Sequence, residues 1–422
     1  MSISRVWRIA VAVALALAAL TAGQWSTVSS NPPLLSPTMP GDVAVNADAA
    51  AIDKFSWQSF VAVNWPTNNS VIGQGGDHAA FFQSWKADTD VLVPDGQVPI
   101  PFKTPSPIPA DCMQTAPPGT RILTQDTKFG KRGDFKTPGN GPLIDQNGEY
   151  VRFEILVNEP MYDFIVSNKL YSKAGQMAYN PNGEVVFPAG VINSAPGAVM
   201  LKLSWKIMGN GDDPKRFHTA MAYLYNPAST PKCQLKLVGL VGMHISHKTV
   251  NAPQWVWSTF EHVANAPLVG SVGGEPFSFN DGTIPHRSLG CNGKSCNLKP
   301  SGNWDPNSGV KTPVQVARLI DFTKTAKAQN AIFETALLAV DTKSVFANYR
   351  LVGTQFPSDV TDQNDPAGAP LPRFLANSTM ETFLQGHTPN NSSSCAGCHY
   401  QSSMPDGRLS DFSFILARVE AQ

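Results

Sequence analysis

Two thiols and an imidazole stand together at Cys395-Ala396-Gly397-Cys398-His399, with 23 residues following in a chain of 422. The C-x-x-C-H spacing is the attachment signature of a covalently held c-type haem. Each thiol adds to one vinyl group of the porphyrin to form a thioether, and the adjoining imidazole reaches the iron from the proximal side. The pattern therefore makes Cys395 and Cys398 the anchors of one haem c and His399 its proximal iron ligand. With 6 Cys and 8 His in the whole chain, its accidental occurrence has odds of about 0.002. A loop disulfide or half of a zinc site is the competing structural account.

A second group of ligand-bearing residues runs Val241-Gly242-Met243-His244-Ile245-Ser246-His247-Lys248. As a strand, it points Met243, Ile245 and His247 to one face and His244 and Ser246 to the other, so the two histidines do not converge on one metal. Any one of Met243, His244 and His247 is a candidate distal iron ligand, and a hydrogen-bonded sheet histidine is the simpler account of each. In the next apolar run Trp255, Trp257 and Glu261 share one face, and Phe260 and His262 the other. An aromatic wall ending in Glu261 or His262 suits a haem or substrate pocket in which a carboxylate or imidazole moves protons. Those two are the catalytic candidates, although a β-core with a polar rim has the same pattern. His387 falls on a Gly/Pro/Asn/Ser loop and is expected at the surface, and His78, His218 and His286 have no companion pattern. The sequence has no P-loop, dinucleotide-binding glycine pattern or nucleophile elbow.

The N-terminus reads as a secretory signal. Arg5 and Arg8 form a basic region, residues 9–20 are an uncharged Ala/Val/Leu run too short to span a bilayer, and small residues follow at 20–23. Thioether attachment in bacteria takes place outside the cytoplasm, so signal and pentapeptide together imply a periplasmic protein without a stable membrane span after cleavage. Four further cysteines, Cys112, Cys233, Cys291 and Cys296, then meet oxidising conditions, and two disulfides in any of three pairings are expected. The turn-forming Asn292-Gly293-Lys294-Ser295 favours Cys291 with Cys296, leaving Cys112 for Cys233.

Positioning these groups falls to a body of unusual composition. Formal net charge is zero, which excludes a basic field for nucleic acid, and only 15% of residues are charged. Gly and Pro make up about 16%, against roughly 12% on average, so much of the chain is loop. Short Val/Leu/Trp/Tyr/Phe-rich runs at 151–157, 199–208, 217–225, 235–248 and 255–262, separated by Asn-Gly, Asn-Pro and other Pro breaks, predict antiparallel strands. Asp48 caps a helix through Ile52, Phe55, Phe60 and Val63 that stops at Trp65-Pro66. Further helical stretches are expected at 79–86, from Thr312-Pro313 through Ile320, and at 326–338. A strand is expected at 345–353, and a short helix from the capping box Ser378-Thr379-Met380-Glu381 to about Gly386. Residues 411–416 fit a strand or a helix equally. The sum is an α+β, β-rich fold, with a central antiparallel sheet or sheets, peripheral helices, long Pro/Gly loops and a C-terminal haem-attachment segment. The expected organisation is a signal peptide at 1–23, a Pro-rich tether at 24–48, a β-rich body with flanking helices at 49–370, and the haem-attachment segment at 371–422, packed on the body.

Small single-haem cytochromes carry the pentapeptide at the start of a helical domain and take a Met ligand from well downstream. Here Met404 is only five residues past His399, so any distal ligand or pocket has to come from upstream. A C-terminal attachment site followed by Asp411-Phe412-Ser413-Phe414 resembles the β-sheet branch of c-prime cytochromes and the related lysine-crosslinked cytochromes. That resemblance implies a five-coordinate haem with His399 proximal and the distal side open. The crosslinking Lys of that group has no counterpart here, and the resemblance covers about the last 30 residues. As a whole the chain resembles large periplasmic monohaem c-type cytochrome-like proteins. An electron carrier needs only about 100 residues, so the much longer chain leaves room for more: the expected role is periplasmic redox chemistry, either electron transfer with a periplasmic donor or acceptor or a haem-dependent oxidoreductase with an open distal site and a small-molecule substrate. The alternative is a non-catalytic haem module that binds a small ligand or docks to a partner.

Overall fold

Period-two alternation of apolar side chains builds a nine-stranded sheet. Its strands are β1 (Lys86–Ala87), β2 (Arg121–Leu123), β3 (Arg152–Val157), β4 (Val199–Ile207), β5 (Thr219–Tyr225), β6 (Cys233–His247), β7 (Val256–His262), β8 (Tyr349–Pro357) and β9 (Pro370–Leu371). They lie in the order β1-β3-β4-β6-β7-β8-β9, with β5 beside β6 and β2 beside β5. Every pairing is antiparallel except that of β2 with β5. The protein is thus α+β and β-rich. The computed structural model describes residues 33–68, 70–117, 119–124, 142–180, 183–226, 230–269, 271, 277–282, 297, 312–362, 364–385 and 394–421. The signal region 1–23, the Cys291–Cys296 pairing, His286 and His387 lie outside them. From residue 35 onward the described chain forms one compact unit, and none of its helices is long and apolar enough to cross a membrane.

Opposed residues of an antiparallel ladder share a face, so the register fixes which side chains look where. Met200 and Lys202 of β4, His244 and Ser246 of β6, and Trp257, Thr259 and Glu261 of β7 form one face. Leu201 and Leu203, Met243, Ile245 and His247, and Val256, Ser258 and Phe260 form the other.

Two helices cover this second face: α1 (Ala49–Val63) and, counting α2 (Asp88–Val91), α3 (Glu159–Ser167) and α4 (Lys173–Ala178) in between, α5 (Lys324–Val340). Asp48 starts α1 by accepting from the Ala51 N–H at 2.8 Å, and Thr323 starts α5 by accepting from Ala326 at 3.2 Å. Phe60 stacks on Phe260 of the sheet at 4.3 Å between ring centroids, and Trp57 stacks on Phe333 of α5 at 5.0 Å. The buried Asn330 amide binds both the Leu351 N–H and its C=O, pinning α5 to β8 next to a bulge in the β7–β8 ladder. The first face is covered differently. Met161, Ile165 and Leu170 of the α3 region, Phe187, and the C-terminal residues Ala396, Met404, Ile415 and Leu416 pack with Val157, Met200 and Trp257 in one apolar cluster.

Several expectations need correction. Residues 312–320 are extended rather than helical: alternate N–H groups of Val314, Val316 and Arg318 bond to Ile144, Phe279 and Pro267. The apolar period there is two, and Thr312-Pro313 starts no helix. At 79–86 only a 3-10 turn forms, Phe81–Ser84, and the expected strand at 345–353 begins with another, Val345–Asn348, before β8. The capping box at 378–381 yields turns because its partner is shifted by one residue. Glu381 Oε2 accepts from the Asn377 N–H at 2.9 Å, Asn377 Oδ1 accepts from Thr379, and the Ser378 hydroxyl is directed to Glu261. Residues 411–416 are neither strand nor helix but a turn entering the 3-10 turn Leu416–Ala421. Part of the Pro-rich tether is packed: Met39 and Val43 are buried, and Gly41 comes so close to the Val191 and Ser194 carbonyls that a Cβ there would lie 2.3 and 2.5 Å from them. The expected Cys112–Cys233 pairing, by contrast, is present, closing a span of 121 residues and tying the Pro-rich loops to the start of β6.

Candidate functional site

The pentapeptide is itself a helix, α6 (Cys395–His399), one turn and a little more. So short a helix has no stability of its own, and its shape comes from its surroundings. Ser394 caps it, accepting from the Gly397 N–H at 3.1 Å. Gln355 of β8, fully buried, accepts from the Ala396 N–H at 2.8 Å and donates through Nε2 to the Pro372 carbonyl at 2.7 Å. Ala396 points into the apolar cluster and is fully buried. Residues three and four apart share a helix face, so Cys395 stands beside both Cys398 and His399. Cys395 is half-buried, Cys398 exposed, and no disulfide joins them. Among the described residues no group of three His, Cys, Asp or Glu side chains converges as a metal site does.

The His399 Nδ1 lies 2.8 Å from the Phe412 carbonyl oxygen, which only accepts, so Nδ1 is the protonated nitrogen of this contact. Trp257 sits 4.5 Å from the imidazole centroid and Phe414 meets it edge-on at 5.0 Å. The carbonyl belongs to a tight turn: the Ser413 N–H donates to Ser410 O at 3.0 Å, and both central residues have left-handed backbone, Asp411 with φ 50° and Phe412 with φ 63°. For residues with a Cβ that conformation costs about 1–2 kcal/mol each. The Asp411 carboxylate offsets it. It accepts from Lys248 Nζ at 2.6 Å, from the Phe187 N–H at 2.7 Å and from Trp255 Nε1 at 3.4 Å. Hydrogen bonds to a charged group contribute about 1.5–3 kcal/mol apiece, so the clamp outweighs the strain.

The remaining candidates separate by face. His244 shares the sheet face of Trp257, and its Nε2 lies 3.3 Å from Glu381 Oε1. Met243 and His247 point the opposite way, into the helices: the Asn64 amide approaches the Met243 sulfur at 3.8 Å, and Phe55 lies 5.0 Å from the His247 ring. The sheet stands between them and His399, which removes both from the distal candidates. Burial lowers the His247 pKa to about 3, and among the described residues neither ring nitrogen has a hydrogen-bond partner. His262 is also lowered to about 3, first by burial. Its Nε2 lies 2.8 Å from Arg216 O, its Nδ1 accepts from the Ala264 N–H at 3.1 Å, and Phe217 stacks on it at 3.9 Å. With both nitrogens committed, it is a structural neutral imidazole rather than an acid–base group. Glu261 is likewise occupied, Oε1 by Arg318 and Oε2 by the Ser378 hydroxyl, and it is buried.

His218, without a companion in sequence, is paired with Asp77 at 2.6 Å. Met404 is buried in the cluster beside Ala396. Sequence reasoning missed Gln355, for which no local signal exists. It also missed the tie from Lys248 to Asp411, although both residues lay within segments already singled out. Compared with known proteins, the chain matches no family model, no curated sequence and no solved structure.

Proposed function

We propose that the chain is an exported, periplasmic monohaem c-type cytochrome-like protein, with the haem on Cys395 and Cys398 and His399 as the proximal iron ligand. The observation that carries this reading is the Nδ1 contact of His399 to the Phe412 carbonyl, 2.8 Å. Metal-binding histidines almost always commit their second nitrogen in this way, which orients the ring and raises its basicity. The donor set fits the group as well: two thiols and the imidazole stand within one short helix, Cys395–His399. Each S–H adds across a vinyl double bond with no oxidant needed, which requires both sulfurs to be thiols. The Cys112–Cys233 disulfide is what an oxidising compartment favours.

A bound haem supplies a one-electron couple and an iron that accepts small ligands. The chain's own residues orient the imidazole through Phe412 O and flank it with Trp257 and Phe414. Of Met243, His244 and His247, His244 alone shares the sheet face of Trp257, which flanks His399, and the reading keeps the iron open or weakly ligated. The reading is therefore periplasmic redox chemistry: electron transfer with a partner, or oxidoreduction of a small molecule. The second reading is a non-catalytic haem module that binds a small ligand or docks to a partner.

The secreted protein is expected to give a haem-staining band after denaturing electrophoresis, lost in the Cys395→Ala/Cys398→Ala double variant. A purified protein with no such band refutes the assignment. Carbon monoxide is expected to change the reduced spectrum, and a low-spin spectrum indifferent to it counts against the open site.

A further inference from the structure

We propose that Asp411 is a positioning residue: by holding the turn 410–413 in its left-handed form, it fixes the Phe412 carbonyl on His399 Nδ1 and so lowers the reduction potential of the bound haem. The inference rests on the haem assignment above and deepens it.

Phe412 is the wrong residue type for its backbone. A bulky side chain at φ 63° is an outlier, and such strain persists only where surrounding contacts over-determine it. Here they do. Asp411 Oδ1 is bound by Lys248 Nζ at the end of β6 and by the Trp255 indole, and Oδ2 by the backbone of Phe187. These three anchors come from two stretches of chain, Phe187 and the 248–255 connection between β6 and β7, and both Asp411 and Lys248 are over nine-tenths buried in their side chains. Lys248 is itself fixed by the Pro253 carbonyl at 2.7 Å. The Ser410 hydroxyl adds a bond to Ser413 O at 2.7 Å, closing the turn from the other side. The turn delivers the Phe412 oxygen to His399.

An imidazole whose Nδ1–H is given to a carbonyl is a stronger electron donor through Nε2. A stronger donor favours the ferric over the ferrous state, and second-shell hydrogen bonding is one of the protein's means of setting potential. Losing the carbonyl therefore raises the potential.

Two substitutions separate position from charge. Asp411→Ala and Asp411→Gly remove the same carboxylate, but glycine tolerates positive φ and alanine does not. Asp411→Ala is expected to shift the ferric–ferrous equilibrium about tenfold toward ferrous, about 59 mV for one electron, with the iron–imidazole stretching band moved to lower frequency. Asp411→Gly is expected to shift both by less than half as much. Equal shifts in the two variants, or none, overturn the inference and leave the haem assignment standing. If neither variant matures, the wild type decides: an exchange-protected, hydrogen-bonded Nδ1–H resonance from His399 supports the clamp, and a solvent-exchanging one overturns it. Absence of covalent haem from the wild type fails the assignment itself.

Discussion

Lowering the pH from 7 to 5 is expected to remove about 4 kcal/mol of the stability that the buried neutral imidazoles of His247 and His262 contribute. Burial drops each pKa from 6.5 to about 3, so the folded state keeps both neutral where the unfolded chain protonates them. A depressed histidine pKa contributes stability that is intact above pH 6.5. It is lost as pH falls from there toward 3, because the unfolded state binds more protons throughout that window. Between pH 6.5 and 5 each histidine accounts for about 2 kcal/mol, at about 1.4 kcal/mol per pH unit. Asp42, Asp53 and Asp145, whose pKa values burial raises, act in the opposite sense as they take up protons. The His247→Leu variant isolates the histidine contribution: urea unfolding at pH 7 and 5 is expected to show a loss smaller than that of the wild type by about 2 kcal/mol. Identical pH dependence in variant and wild type would remove His247 from the account.

Cutting the Glu261–Arg318 pair is expected to cost about 3–5 kcal/mol, since it leaves one charge buried without its partner. The Arg318 guanidinium is buried, which lowers its pKa to about 10, and Phe322 lies 4.3 Å beneath it. Glu261→Ala strands that cation and also frees the Ser378 hydroxyl. Replacing both, as Glu261→Leu/Arg318→Met, is expected to recover most of the loss, because apolar substitutes for a buried ion pair are often neutral. Denaturant unfolding reads the cost, and the visible spectrum reads the site. The spectrum is expected to stay unchanged in every one of these variants. A Glu261→Ala protein of normal stability but altered haem spectrum would restore Glu261 as a functional group.

What the sequence revealed follows the range of the forces involved. Strands β3 to β7 and the start of α1 were legible because alternation, Asn-Gly breaks and an Asp cap are local signals. The pentapeptide was legible because its chemistry demands contiguous residues. Helix α3 carries a local signal too, an Asn158 cap bonded to the Met161 N–H at 3.2 Å with Pro160 in its first turn, but its nine residues are few for a periodicity to register. The stretch 312–320 misleads because Thr-Pro fits a helix start equally well as an extended chain whose partners lie far away. The clamp on Asp411 was out of reach for the same reason: Lys248 is 163 residues from Asp411, and Gln355 is 41 from Ala396. Alternation did place His244 apart from His247. Which of the two shares a side with His399 depended on where residues 395–416 dock.

Helix α6 has one further consequence. Five residues cannot hold a helical turn alone, so the arrangement of two thiols and an imidazole is borrowed from β8 and the apolar cluster. Site geometry and global folding therefore belong to one cooperative unit. In the proposed haem-bearing form, a ring bonded to Cys395 and Cys398 would stay at high effective concentration beside the folded body's attachment site after the chain unfolds, and refolding would begin with the prosthetic group already in place.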